Sequence, residues 1–256
     1  MKCVSLQEQL FMSLSIQPLG KRSSASRRKL LKWGLFGIGT LALTTLPKAV
    51  TAQSSNGAKT LTFNADDDGI LNFALLLEEL EAAFYAAVVR SGKIRDRKEL
   101  EYMRALGNHE AEHVKFLRSV LGGNATFQTR DLRFNRPGLN VLLRDRETIL
   151  NTAVALEDTG VHAYNGAGPS LKNPTYLLAA GSIVSVEGRH AAGVRGLLGR
   201  PATEADGDRT GRVDLVESLN PFQGRAYDEL YTPKQIIGIV SGLNILNNPI
   251  NGTLVA

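Results

Sequence analysis

The sequence predicts an all-α fold, a four-helix bundle with one long crossover and a short C-terminal appendage. Three observations predict it. Four long segments carry apolar residues at helical spacing. Their connections run short, long, short, the order of a bundle whose middle connection travels from one end to the other. The first two segments also match the last two, at offsets of 79 and 77 residues, so the chain reads as a duplicated helical hairpin.

A chain of 256 residues is long enough to bury a full core. Its formal charge of +5 is unevenly spread. Residues 1–52 hold eight Lys/Arg and one acid, Glu8, which leaves 22 basic and 24 acidic residues for 53–256, a net of −2. The remainder therefore gives no charge argument for a nucleic-acid partner.

Residues 1–52 read as an export signal. SRRKLLK, Ser26–Lys32, precedes an uncharged stretch from Trp33 to Leu46. That stretch has 14 residues, three of them glycine, against the roughly 20 that a membrane span needs. VTA, Val50–Ala52, offers small residues for cleavage after Ala52. SRRKLLK, with Arg27 and Arg28, resembles the twin-arginine motif, and Lys48 suits that route. The resemblance implies the twin-arginine export machinery as a partner and folding before translocation. Location is then periplasmic or extracellular, with a membrane anchor as the outcome if the signal stays uncleaved. An ordinary Sec signal is the alternative, and Met12 is a second candidate start. Cys3, the only cysteine, lies in the removable part, so thiolate ligands are excluded from the mature chain.

Residues 53–66 are polar and read as a flexible linker. The first helix is predicted from Asp67 to Arg90, with acids at its N-terminus where the helix dipole favours them. The second runs from about Asp96 to Leu121 and stops at Gly122-Gly123. The crossover GGNATFQTRDLRFNRPGLN follows. The third helix is predicted from Leu142 to Asn165, and the fourth from Pro174, a good first-turn residue, to the stop at Gly199-Arg200-Pro201. The bundle thus covers 67–199. The extension 200–256 is rich in Gly and Asn and holds one candidate helix, at TPKQIIGIV.

The apolar seams carry the chemistry. The first helix gives Leu71, Leu75, Glu78, Ala82, Tyr85 and Val89, and the third gives Leu150, Val154, Glu157, Val161 and Tyr164. The second gives Met103, Leu106, Glu110, His113, Leu117 and Val120, and the fourth gives Ala180, Ile183, Glu187, His190, Val194 and Leu197. Every helix thus places a carboxylate in an apolar stripe, where an uncompensated charge costs several kcal/mol. Two divalent cations balance four carboxylates, and Glu-x-x-His puts both groups on one helix face. This is the ligand set of di-iron and di-manganese carboxylate bundles.

Residues 109–113, HEAEH, also fit the zinc-protease pattern, with His109 and His113 on zinc and Glu110 as base. That alternative is remote. His109 lies one residue off the seam. A third ligand would have to come from His162 or a distant acid, and Glu78, Glu157, Glu187 and His190 would be unused. A metal-free bundle with leftover ligands is a further alternative. Glu81, three residues after Glu78, is a candidate alternative ligand, or else a partly buried salt-bridge former. His109 and His162 read as surface groups or as groups behind the ligands. Glu79, Glu112 and Asp158 read as solvated.

On these residues the chain resembles the ferritin-like superfamily over about 67–199. LLLEELEAAFY, HEAEHVKFL and YLLAAGSIVSVEGRHAAGVR resemble its desiccation-related group. The resemblance implies Glu78 and Glu157 as terminal ligands, Glu110 and Glu187 as bridges, and His113 and His190 as histidine ligands. It implies that Tyr85 and Tyr164 hydrogen-bond the carboxylates.

The function expected is that of an exported protein with two Fe or Mn ions, active in redox chemistry linked to oxidative or desiccation stress. O2 or H2O2 would be the substrate, in oxidase, peroxidase or catalase-like activity. Oxygen and nitrogen ligands suit either metal. Iron storage is less expected, since nothing signals cage assembly. The rival is a non-catalytic structural stress protein of the same fold.

Overall fold

The computed structural model describes residues 57–203 and 227–256. The expected export signal, with Arg27, Arg28 and the expected cleavage point after Ala52, lies outside these residues. So do 53–56 and the 204–226 part of the extension.

The architecture is an all-α helical bundle. Its long helices are α1 (Asp67–Ser91) and α2 (Arg97–Leu121), then, after a short α3 (Arg136–Leu142), α4 (Arg146–Ala167) and α5 (Pro174–Leu197). The C-terminal helix α6 is Pro233–Leu243. Each start is fixed by a side chain that takes up an otherwise unpaired backbone N–H. Asp66 accepts from Gly69 N at 2.7 Å, Asp96 from Glu99 N at 2.9 Å, and Asp145 from Thr148 N at 2.8 Å. Asn173 accepts from Thr175 N at 2.9 Å, and Pro174 occupies the first turn of α5. Gly92, at φ 65°, ends α1 in the left-handed conformation that glycine adopts without steric cost. Among the described residues no helix is long and apolar enough to cross a membrane.

The third long helix starts at Arg146, not Leu142, because Asp145 is the cap and residues 136–142 form a helix of their own. That short helix is capped by Asn135, with Pro137 in its first turn. The crossover is tied down on its way. Arg118 on α2 reaches Phe127 O at 3.1 Å and pairs with Glu79 at 2.5 Å, and Thr129 donates to Glu79 at 2.7 Å. Glu79 is therefore buried, contrary to the solvated reading, because the crossover folds over it. Asp158 is also paired, with Arg195 at 2.5 Å. Glu112 is exposed beside Lys115.

The described part of 53–66 is not a flexible linker. Leu61–Thr62 (β1) pairs in parallel with Ile250–Asn251 (β2). Leu61 and Phe63 are buried, and Phe63 meets Phe73 edge-on at 5.7 Å. Two apolar side chains and backbone bonds from Leu61 N to Pro249 O and Phe63 N to Asn251 O anchor it. The end of the chain is anchored too. Thr232 and Gln235 form a capping box for α6, and Ile236 and Val240 enter the core. Tyr231 N donates to His162 O at 3.1 Å across Gly166, where a Cβ would stand 1.8 Å from Tyr231 O.

The core consists of two apolar clusters. One contains Leu71, Leu75, Leu80, Leu117, Leu121 and Ile183. The other contains Phe84, Val88, Met103, Leu106, Leu150 and Val194. On α2, α4 and α5 the seam glutamates lie between the two clusters in sequence, and on α1 Glu78 lies at the edge of the first, which sets a layer of carboxylates at mid-bundle.

Candidate metal centre

The duplicated hairpin brings its seam carboxylates together. Glu78 on α1, Glu110 on α2, Glu157 on α4 and Glu187 on α5 are buried, none more than 1% exposed. His113 and His190 complete two groups. Glu78, Glu110, His113 and Glu187 form one, and Glu110, Glu157, Glu187 and His190 form the other. Within each group the ligand-type atoms lie within 4.8 Å of one another. Glu110 and Glu187 belong to both groups, whereas Glu78 and Glu157 belong to one each.

The spacing is unlike that of a hydrogen-bonded core. His113 Nδ1 lies 3.1 Å from Glu78 Oε2, 2.9 Å from Glu110 Oε2 and 3.0 Å from Glu187 Oε1. One N–H cannot serve three acceptors. His190 Nδ1 stands 2.9 Å from Glu110 Oε1 and 3.2 Å from Glu157 Oε2. Several of these contacts are short but misdirected, so that Glu110 Oε1 and both oxygens of Glu187 are buried without a hydrogen bond. Bonds of about 2.1 Å at right angles to one cation would place ligand atoms about 3 Å apart.

The tyrosines are placed reciprocally. Tyr85 on α1 donates a short hydrogen bond to Glu157 Oε1, and Tyr164 on α4 donates to Glu78 Oε1 at 2.5 Å. Each leaves the other oxygen of its glutamate turned to a histidine. Burial pushes both phenols well above their ordinary pKa, with the glutamate charge adding to it, so they remain donors.

Burial, with repulsion from Glu187 next, pushes Glu78 up to about 8. Burial likewise raises Glu157 and Glu81 well above the usual carboxylate range. Burial opposes charge on His113 and His190. Contacts with Glu110 and Glu187, joined by Glu78 and Glu157 respectively, outweigh it and push both up to about 12. The same imidazoles hold Glu187 down at about 2 against its own burial. Without metal, protons thus do the balancing that cations would do.

Glu81 is not a salt-bridge former. It is 2% exposed, and its Oε2 is buried without a hydrogen bond. Gly160 on α4 makes room for it, since a Cβ there would lie 3.3 Å from Glu81 Oε1 and 3.6 Å from Glu187. Glu81 stands outside both ligand groups, but the charges of Glu187, Glu157 and Glu78 act on it.

A family model described as a ferritin-like domain matches residues 66–200. The chain belongs to the ferritin-like domain family. No curated protein matches it. The donors fit what this ferritin-like bundle implies: all are oxygen or imidazole nitrogen, and the unsatisfied oxygens face one another at ligand spacing.

The remaining histidines differ from the sequence reading in part. His162 is buried, not a surface group, and packs on Tyr231 with ring centroids 4.5 Å apart. His109 is outside both groups, so HEAEH does not assemble as a zinc-protease motif. Its ring lies beside that of His190, nearly coplanar at 25° with centroids 5.1 Å apart, and its Nδ1 is 2.9 Å from His190 Nε2. A cavity of about 400 Å3 opens there, lined by Tyr102, His109, Glu112, His113, Val186, Arg189 and His190. It joins solvent to the outer edges of both ligand-type histidines. The seam analysis did not single out Tyr102, Val186 or Arg189. The 77-residue offset offers a signal for the last two, since it pairs His109 with Val186 and Glu112 with Arg189.

Proposed function

We propose that this ferritin-like protein is exported, holds two Fe or Mn ions and uses them in redox chemistry on O2 or H2O2 under oxidative or desiccation stress. The observation that carries the dimetal part of this reading is the sharing of Glu110 and Glu187 by both ligand groups. Shared carboxylates favour two cations side by side over two isolated ones. When bound, such a pair supplies two electrons by cycling between divalent and trivalent states.

The chain's own residues divide the work. Glu78 and Glu157 serve as end ligands, Glu110 and Glu187 as bridges, and His113 and His190 as nitrogen ligands through Nδ1. Tyr85 and Tyr164 hold the end ligands in orientation through their hydroxyl donors. The two apolar clusters keep water from the carboxylate layer above and below. The cavity beside His113 and His190 supplies the way in for a small oxidant. A purely structural metal site has no use for such an opening.

Oxygen-electrode and peroxide-decay measurements on reduced, iron-loaded and manganese-loaded protein test the reading. Consumption above free-metal controls is the expected result. Two bound ions with no consumption of either oxidant would leave the structural stress-protein role in its place.

A further inference from the structure

The ligand set is symmetric under the duplication, but its surroundings are not. Tyr85 and Tyr164 exchange partners, as do Glu78 and Glu157. At the outer edge of the histidines the symmetry breaks. His190 meets His109, with 2.9 Å between His190 Nε2 and His109 Nδ1 and ring centroids 5.1 Å apart at 25°. The residue matching His109 in the other repeat is Val186, which has no hydrogen-bonding group. Among the described residues His113 shows hydrogen bonds through Nδ1 only, and its ring borders the open cavity.

The tautomers follow from the chemistry. A histidine that gives its Nδ1 lone pair to a cation carries its proton on Nε2. His190 must then donate that N–H, and His109 Nδ1 is placed to accept it. Ligand histidines supported in this way are oriented and made better donors, and losing the support typically costs 10–100-fold in affinity.

We propose that His109 is a positioning residue that makes the two metal positions inequivalent. It accepts the Nε2 proton of His190 and thereby tightens the position of Glu157 and His190 over that of Glu78 and His113. The weaker position, on the side of Glu78 and His113, is the one that exchanges its ion first. The off-seam histidine of HEAEH thus serves the centre from behind a ligand. This inference rests on the dimetal reading.

Calorimetric titration of metal-stripped protein with Mn2+ tests it without reference to activity. Wild type is expected to bind in two resolved steps. His109→Ala is expected to weaken the tighter step roughly 10–100-fold, leaving the weaker step and the fold unchanged. His109→Asn is expected to restore the tight step, because its Oδ1 falls near the place of Nδ1 and accepts the same proton. Two steps unmoved by His109→Ala would overturn the inference alone, as would equal loss in the Ala and Asn variants. Wild type that binds neither Mn2+ nor, in the same titration under anaerobic conditions, Fe2+ would overturn the dimetal reading and the inference with it.

Discussion

Replacing Glu78 by glutamine should stabilise the metal-free protein, although it removes a residue from the centre of the fold. Burial and the neighbouring carboxylates hold Glu78 at about 8, against 4.5 for a free glutamate. In the unfolded chain the group gives up its proton near pH 4.5, whereas in the fold it keeps it to about pH 8. The folded form therefore binds more protons in that window, and stability falls as pH rises through it. At pH 7 the penalty comes to about 3 kcal/mol. Glu78→Gln has no such penalty, and its amide oxygen still accepts from Tyr164. One amide N–H left without an acceptor gives back about 1 kcal/mol. The net gain of about 2 kcal/mol corresponds to roughly 4–8 °C in Tm for a domain of this size. At pH 4.5 the gain should give way to a loss of under about 1 kcal/mol, the amide cost alone. Saturating metal should cancel the gain at pH 7. A hundredfold excess over Kd adds about 2.7 kcal/mol per site, and the variant keeps only one site intact. Thermal unfolding followed by far-UV circular dichroism, with and without chelator at the two pH values, reads all of this. A metal-free variant less stable than wild type at pH 7 would refute the reasoning. Glu78 would then be an ordinary structural hydrogen-bond acceptor.

Further outcomes follow from the same geometry. Tyr164→Phe and Tyr85→Phe should each leave the bundle folded and weaken metal affinity or activity roughly 10–100-fold. Unchanged affinity in competition titrations would show that the hydroxyls do not orient Glu78 and Glu157. Metal affinity should rise with pH from about 6.5 to 8, because Glu78, at about 8, and His113 and His190, at about 12, must release protons to bind. Calorimetry in buffers of different ionisation enthalpy counts those protons, and a count of zero contradicts the account. Arg27→Lys combined with Arg28→Lys should stop export. Normal processing and delivery of that variant would point to the Sec route.

The carboxylate layer was legible because a glutamate in an apolar stripe is a strong local signal, and two offsets repeated it. Glu110-x-x-His113 and Glu187-x-x-His190 needed only helical periodicity to be placed on one face. What was hidden depended on contacts between distant segments. Glu79 follows Glu78 directly and reads as solvated, until the crossover brings Arg118 and Thr129 over it. Glu81 had the right spacing, but the space around it includes the missing side chain of Gly160, on another helix, where a Cβ would lie 3.3 Å from its Oε1. The pairing of Leu61–Thr62 with Ile250–Asn251 joins segments 189 residues apart through two-residue strands with no pattern of their own. His109 is off the seam of its own helix, and it meets His190 only where α2 and α5 face each other beside the cavity.

The most direct test of the central claim is elemental analysis of the protein purified from its native location, beside Glu110→Ala and Glu187→Ala. These two glutamates are the ones shared by both ligand groups. The account predicts two ions of Fe or Mn per wild-type chain, and loss of two-ion binding in either variant. Two tightly bound ions in either variant, or none in wild type, would contradict it.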